Sequence, residues 1–194
     1  MSVFTQTLIL NTFSEMLERM PFEKITVSAI IKACGISRNT FYYHYQDIYD
    51  LLDHWLEQEL GKFARQASAD EDWPSGIKAF LHSCKSHKKM VYHLFNSLSR
   101  DRLERYVFAN TDNTIYDFVN RAAADVSLPP QRLEAIANIC RYAIIGYFLR
   151  FLWNGMNDDI DAAVDELSEV FSTIVVEAVA NFAQAEGTAA AGQD

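Results

Sequence analysis

The sequence predicts an all-α fold, with a three-helix domain at the N-terminus and a second helical domain behind it. Three observations carry this. Apolar residues recur every three or four positions along most of the chain, the period of an α-helix. Only four prolines and seven glycines punctuate 194 residues, too few for a protein of many short strands. The punctuation is also gathered into a few short stretches, with long uninterrupted segments between them. Hydrophobic residues make up 49% of the chain, enough to build a core at this length.

In the first helix Ile9, Phe13, Met16, Leu17 and Met20 share one face, and Pro21 ends it. Phe22-Glu23-Lys24-Ile25 is a short connector. Thr26 stands at an N-cap position ahead of a short helix, Val27 to Cys34, with Ile30, Ile31 and Ala33 available for packing. Gly35 can take the positive φ that closes a helix, and Ile36 plugs the core beneath the turn. Ser37 caps the next helix, from Arg38 to His44 or Tyr45. Asp47 caps a fourth, with Asp50 in its first turn, where a carboxylate meets the positive end of the helix dipole. This helix continues to about Ala67. The acidic stretch Ser68 to Pro74 marks a boundary, dividing residues 1–67 from 68–185. Helical periodicity resumes over 75–96, 101–126, 131–155 and 158–184. Residues 186–194 offer nothing to bury and are expected to form a disordered tail.

Composition narrows the function classes. The opening MSVFTQTLIL lacks the basic start and small-residue cleavage site of a secretory signal. The most apolar run, Tyr142 to Trp153, is interrupted by Arg150 and is twelve residues long, where a membrane span needs about 20. A cytoplasmic protein with no membrane contact is expected. The three cysteines, Cys34, Cys84 and Cys140, read as small buried hydrophobes; a redox sensor would need an exposed, low-pKa thiolate. No metal site is expected, because His82, Cys84 and His87 do not share a helix face. No cofactor motif or nucleophile–base pair stands out, so an enzyme is not expected. A net charge of −9 argues against a protein that coats nucleic acid, but not against a local reader. Residues 1–46 carry Arg19, Lys24, Lys32 and Arg38 against Glu15, Glu18 and Glu23, a balance of +1.

The densest signal runs from Thr26 to Tyr45: two short helices, a glycine turn and an apolar plug. That arrangement sets the second helix at a steep angle to the first and exposes it for the major groove of double-stranded DNA. Arg38 and Asn39 occupy its first turn, where Arg can pair with guanine and Asn with adenine. Phe41 and Tyr45 belong to the core. For Tyr42 and Tyr43, packing and phosphate contact both stay open.

Residues 5–60 resemble the DNA-binding domain of TetR-family transcriptional regulators. The likeness rests on the Thr26-Val27 opening, Ala33-Cys34-Gly35-Ile36-Ser37, Thr40-Phe41-Tyr42-Tyr43-His44-Tyr45, then Asp47 and Leu51-Leu52. It implies a helix-turn-helix DNA-binding domain, a linking fourth helix, and a helical ligand-binding and dimerisation domain. It also implies a homodimer through the last two helices and a small-molecule effector. Carried over by position, Thr26 falls on the phosphate-contacting cap. Ser28, Arg38, Asn39 and Thr40 fall on base- or backbone-facing positions, and Tyr42, Tyr43 and His44 on phosphate and groove positions. Val27, Lys32 and Ser37 complete the expected set. One departure matters: Ile48 stands where the family usually has a phosphate-touching lysine. Losing that contact weakens binding and lowers its salt dependence.

The helix over 131–155 is close to apolar all round between Tyr142 and Trp153. The helix over 158–184 presents Val164, Leu167, Phe171, Ile174, Ala178 and Phe182. Two copies meeting as a four-helix bundle would bury such surface. The resemblance further implies a ligand pocket, for which Phe80, Cys84, Tyr92, Phe95, Tyr106, Phe118, Tyr142 and Phe148 are the aromatic and apolar candidates. Arg150, a cation in an apolar run, pairs with an acid such as Asp117 or meets an anionic ligand. The run Arg141 to Met156 is similar to a subgroup that includes regulators of dihydroxyacetone kinase genes. Two functional readings follow: a ligand-released repressor on a two-fold operator, and a TetR-like coactivator that works through a protein partner with weak or no DNA binding of its own.

Overall fold

The structure, a computed structural model, describes residues 2–69, 73–99, 101–102, 105, 115–124, 126 and 128–191. Among these residues the regular elements are helices: α1 (Ser2–Arg19), a 3-10 turn (Phe22–Lys24), α2 (Val27–Cys34), α3 (Arg38–His44), α4 (Ile48–Ala69), α5 (Trp73–Ser86), α6 (Lys88–Phe95), α8 (Pro130–Trp153) and α9 (Ile160–Ala191). Residues 115–122 are also helical and are numbered α7. The chain clusters into two compact units, one of residues 1–62 with 83–106 and one of residues 63–82 with 107–194.

The core of the first unit is built from the periodic face of α1. Ile9, Phe13 and Leu17 are fully buried there, and Phe13 meets Phe22 and Trp55 edge-on at 6.1 and 6.0 Å. Ile30 arrives from α2, Phe41 from α3, and Leu51, Leu52 and Trp55 from α4. The sequence reading places 75–96 in the second domain as one helix, and here the structure differs. The helix breaks at His87 (φ −109, ψ 36), and α6 joins the first unit. The physical reason is that Met90, Leu94 and Leu98, spaced four apart, form a stripe that packs into the α1 core. His93 adds a direct link, Nδ1 lying 2.6 Å from the Leu17 carbonyl oxygen. A carbonyl can only accept, so Nδ1 carries the proton.

The second unit is centred on Trp73, which the sequence reading places in a boundary segment. It is buried, against Phe171 at 5.3 Å and Phe118 at 6.1 Å. Pro74 does not stop a helix there; it sits in the first turn of α5, where a missing N–H costs nothing. Ile115 and Val119 of α7, the Leu133, Ile136, Ala137, Cys140 and Ile144 stripe of α8, and Phe171, Val175 and Val179 of α9 complete this core. α8 spans 24 residues and is long and apolar enough to cross a membrane, more than the twelve-residue run suggests; 56% of its most apolar window is buried inside the protein. After α8, Gly155 (φ 71) and Met156 (φ 57) both turn left-handed, and the Met156 N–H closes on the Phe151 carbonyl at 2.8 Å. α9 continues to Ala191 rather than ending before the expected tail at 186, in keeping with the high helix propensity of its alanines.

Candidate nucleic-acid interface

Each short helix of the first unit is fixed at both ends. The Ala29 N–H donates to Thr26 Oγ1 at 3.2 Å, which starts α2. Gly35 ends it in the left-handed region (φ 64, ψ 30). The Ile36 N–H reaches the Ile31 carbonyl at 3.2 Å and the Gly35 N–H the Lys32 carbonyl at 3.4 Å, the bond pair of a Schellman turn. Ile36 then packs against the core, the expected plug. Ser37 caps α3, its Oγ accepting from the Thr40 N–H at 3.1 Å and lying 2.8 Å from Thr40 Oγ1. Asp47 caps α4 by accepting from the Tyr49 and Asp50 N–H groups at 2.7 and 2.9 Å. Asp50 reaches back to the Gln46 N–H at 2.7 Å.

These anchors decide which side of α3 faces out. Phe41 is fully buried and Tyr45 is 1% exposed, both in the core as expected. Burial also pushes the Tyr45 hydroxyl above its ordinary pKa, with the Asp50 charge acting in the same direction. The opposite side of α3 is open. Arg38 and Asn39 are exposed, with the Arg38 guanidinium 5.9 Å from the Tyr42 ring. Tyr42 is 46% and Tyr43 78% exposed, and Tyr43 stands edge-on to the half-buried His44 at 5.0 Å. Thr26, Ser28, Lys32 and Ser37 are exposed, while Val27 and Thr40 are half-buried. All eleven residues of the expected DNA-binding set therefore lie on α2, α3 or their caps, with Val27 packed against the core. Ile48, at the first turn of α4, is half-buried and also packs into that core. Sequence reasoning missed Arg102, whose guanidinium lies 4.7 Å from the Tyr49 ring and 3.7 Å from Asp53. Its signal is non-local, since Arg102 is far along the chain from α4.

The expected ligand-pocket residues are drawn from both units, Phe80 and Cys84 lying one turn apart on α5. Phe80 and Phe148 pack at 5.4 Å within the second unit, and Phe118 lies against Trp73 there. Cys84, Tyr92 and Phe95 fall in the first unit. Cys84 is buried, which pushes its thiol from 9.0 to about 12, the opposite of a reactive thiolate. Cys140 is raised by burial too. Tyr106 lies outside the described residues. Tyr142 is 61% exposed and is no cavity wall in the chain by itself. Arg150 and Asp117 are both exposed and form no ion pair with each other; the Arg150 guanidinium rests 5.5 Å from the Tyr147 ring. The buried cation of α8 is Arg141, 2% exposed, whose Nη1 donates to Glu134 Oε1 and Asn138 Oδ1, each at 2.8 Å.

One open groove of about 400 Å³ runs between α8 and α9, lined by small and apolar residues such as Ala143, Gly146, Ala163 and Val170 together with Arg150 and Glu166. Around it Ile139, Tyr142, Trp153, Val170 and Ile174 expose 65%, 61%, 70%, 46% and 48% of their surface.

Comparison with known proteins agrees with this architecture. Residues 9–54 match the profile of the tetR family of bacterial regulatory proteins, and residues 71–173 match that of a transcriptional regulator C-terminal region. The HTH-type transcriptional regulator EthR of Mycobacterium tuberculosis is 31% identical over 93 residues, 43% of each chain. The dhaKLM operon transcriptional activator DhaS of Lactococcus lactis is 26% identical over 80 residues, 41% of this chain and 43% of its own. The chain thus spans less than half the length of the curated relatives it matches. A solved structure of a dihydroxyacetone kinase operon activator DhaS superposes with a TM-score of 0.68 at 15% identity, covering 89% of this chain and 97% of that one. A TetR transcriptional regulator from Streptococcus agalactiae gives 0.61 at 19% identity, over 90% and 94%. Both profiles, one of them over more than half of the sequence, place it: the chain belongs to the TetR family of bacterial transcriptional regulators.

Proposed function

We propose that the protein is a cytoplasmic, homodimeric repressor that binds a two-fold DNA operator through α2 and α3 and is released by a small molecule. The observation that carries the reading is α3 itself. Two of its aromatics lock it into the core, which leaves Arg38, Asn39, Tyr42 and Tyr43 on an exposed face ahead of the Asp47-capped start of α4. Arg38 and Asn39 then read base edges, and Tyr42, Tyr43 and the capped helix N-termini hold phosphates. The uncovered apolar surface of α8 and α9 supports the dimer, whose symmetry supplies two reading heads. Aromatic side chains of the second unit, Phe80, Phe118 and Phe148, are the candidates for holding the effector.

The experiment is binding of the purified protein to its own upstream DNA at two salt concentrations. Saturable, salt-sensitive binding to one segment is expected. Arg38→Ala should weaken it by about 1–3 kcal/mol and blur the sequence preference. Tyr42→Ala should weaken it evenly across sequences. A folded dimer that binds no segment specifically at low salt overturns the repressor reading. One observation favours the second reading, a coactivator working through a protein partner: Ile48 points part of its surface into the core where a phosphate-touching lysine is usual in the family.

A further inference from the structure

We propose that Arg150 and Glu166 are the residues by which this chain selects a second copy of itself, Arg150 of each protomer pairing with Glu166 of the other. The inference rests on the dimer reading above. Its starting point is the charge pattern of α9. Asp161 and Asp165, one turn apart, are used within the chain, Asp161 with His82 at 3.2 Å and Asp165 with Lys78 at 2.6 Å on α5. Glu166 is one position further on and turns to a different face, in line with Val170 and Ile174. It is exposed, and among the described residues no cation of its own chain comes within ion-pair distance. Arg150 is its counterpart on α8. It shares a stripe with Tyr142, Gly146 and Trp153, it is exposed, and it too has no ion pair among the described residues.

Both side chains line the same groove. A two-fold interface places one surface against itself, so a residue i that meets j is matched by j meeting i. Glu169 and Glu177 are exposed on α9 as well, but Glu166 is the acid that lines the groove with Arg150, and across a two-fold axis this cation and this anion satisfy each other twice. Two like charges would instead repel twice. The neighbourhood suits close approach, since Gly146 and Ala163 keep the groove shallow in side chains while Ile139, Tyr142 and Trp153 supply apolar surface around it. The apolar surface favours association without choosing the partner. The charges choose, because a related chain with another charge pattern leaves them desolvated and unpaired.

The test is sedimentation equilibrium on the full-length chain and four variants or mixtures: Arg150→Glu, Glu166→Arg, the two reversals combined, and an equimolar mixture of the single reversals. Each single reversal is expected to raise the dimer Kd by at least about tenfold, because it creates two like-charge contacts. The combined reversal should return to within about threefold of the parent, and the mixture should form heterodimers at least about tenfold more tightly than either component forms homodimers. Recovery in the double variant also shows that the single variants had not merely misfolded. A parent dimer whose single reversals associate normally, or are weakened without recovery in the double variant and the mixture, overturns the pairing and leaves the dimer standing. A parent that is monomeric at all concentrations takes down the dimer reading itself.

Discussion

Gly35 shows how a single residue sets the reading head. Its φ of 64 is what allows the Schellman bonds to end α2 and release Ser37 to cap α3. A Cβ at this position would meet nothing within 4 Å, so replacement is penalised by the backbone alone. Gly35→Ala is expected to cost about 1–2 kcal/mol in urea unfolding, and Gly35→Asn less, because Asn tolerates the left-handed region. Thr26→Ala and Ser37→Ala should each cost about 1 kcal/mol by the same measurement, the usual loss of a cap. Cys84 gives a prediction in pH. Below pH 9.0 the folded and unfolded chains both hold its proton; above that the unfolded thiol ionises first. The stability it contributes is thus lost as pH climbs from 9.0 towards about 12, and Cys84→Ala should flatten that part of the stability curve. The two arginines of α8 mark the limit of what single residues reveal. A cation in an apolar run looks equally anomalous at either position. Helical spacing, however, puts Arg150 in register with Tyr142, Gly146 and Trp153, and Arg141 in register with the buried Ala137, Ile144 and Phe148. The signal was present in the 3.6-residue period but hidden by a stretch in which nearly every residue is apolar.

Among elements, the short helices were the most legible. The bounds of α2 and α3 follow from Thr26, Gly35, Ser37 and Asp47, and each of those devices acts within four residues of itself. α6 was not legible. Its periodicity is clear, yet nothing local says that Met90, Leu94 and Leu98 will cover α1 rather than continue the helix before them. Trp73 was misplaced for the same reason, since acidic neighbours and a following proline look like a linker when the partners, Phe118 and Phe171, are far along the chain. The attachment of α6 can be checked by Leu94→Ala. Removing this side chain is expected to destabilise the unit that carries α1 to α3 by about 2–5 kcal/mol, read as faster amide hydrogen exchange in α1 and a lower urea midpoint. Unchanged exchange in α1 would contradict that attachment.

For the molecule as a whole, the two units differ sharply in charge. The first holds eleven lysines and arginines against ten acids, a balance of +1; the second holds six against sixteen, a balance of −10. Residues 1–46 and the rest of the chain divide the same way, because the basic run Lys85, Lys88 and Lys89 that folds with the reading head is offset there by acids such as Asp47, Asp53 and Glu57. A polyanion is therefore met favourably only through the first unit, and few phosphate contacts are available to hold it. Ile48→Lys should supply one more. It is expected to tighten DNA binding and to steepen the dependence of log K on log salt by about 0.9 per added contact, measured by fluorescence anisotropy over a salt series. Binding that tightens without a change in slope would mean that the new lysine does not reach phosphate.

Arg141 has a consequence that begins before the protein is folded. A nascent chain is sampled by the membrane-insertion machinery as a linear string, and α8 is a string of 24 residues apolar enough to be accepted. Arg141 stands at its midpoint, where a cation opposes entry into the bilayer most strongly, by about 2.5–3.5 kcal/mol. The guanidinium that Glu134 and Asn138 hold in the folded core is therefore the group that makes this long apolar helix a poor membrane span.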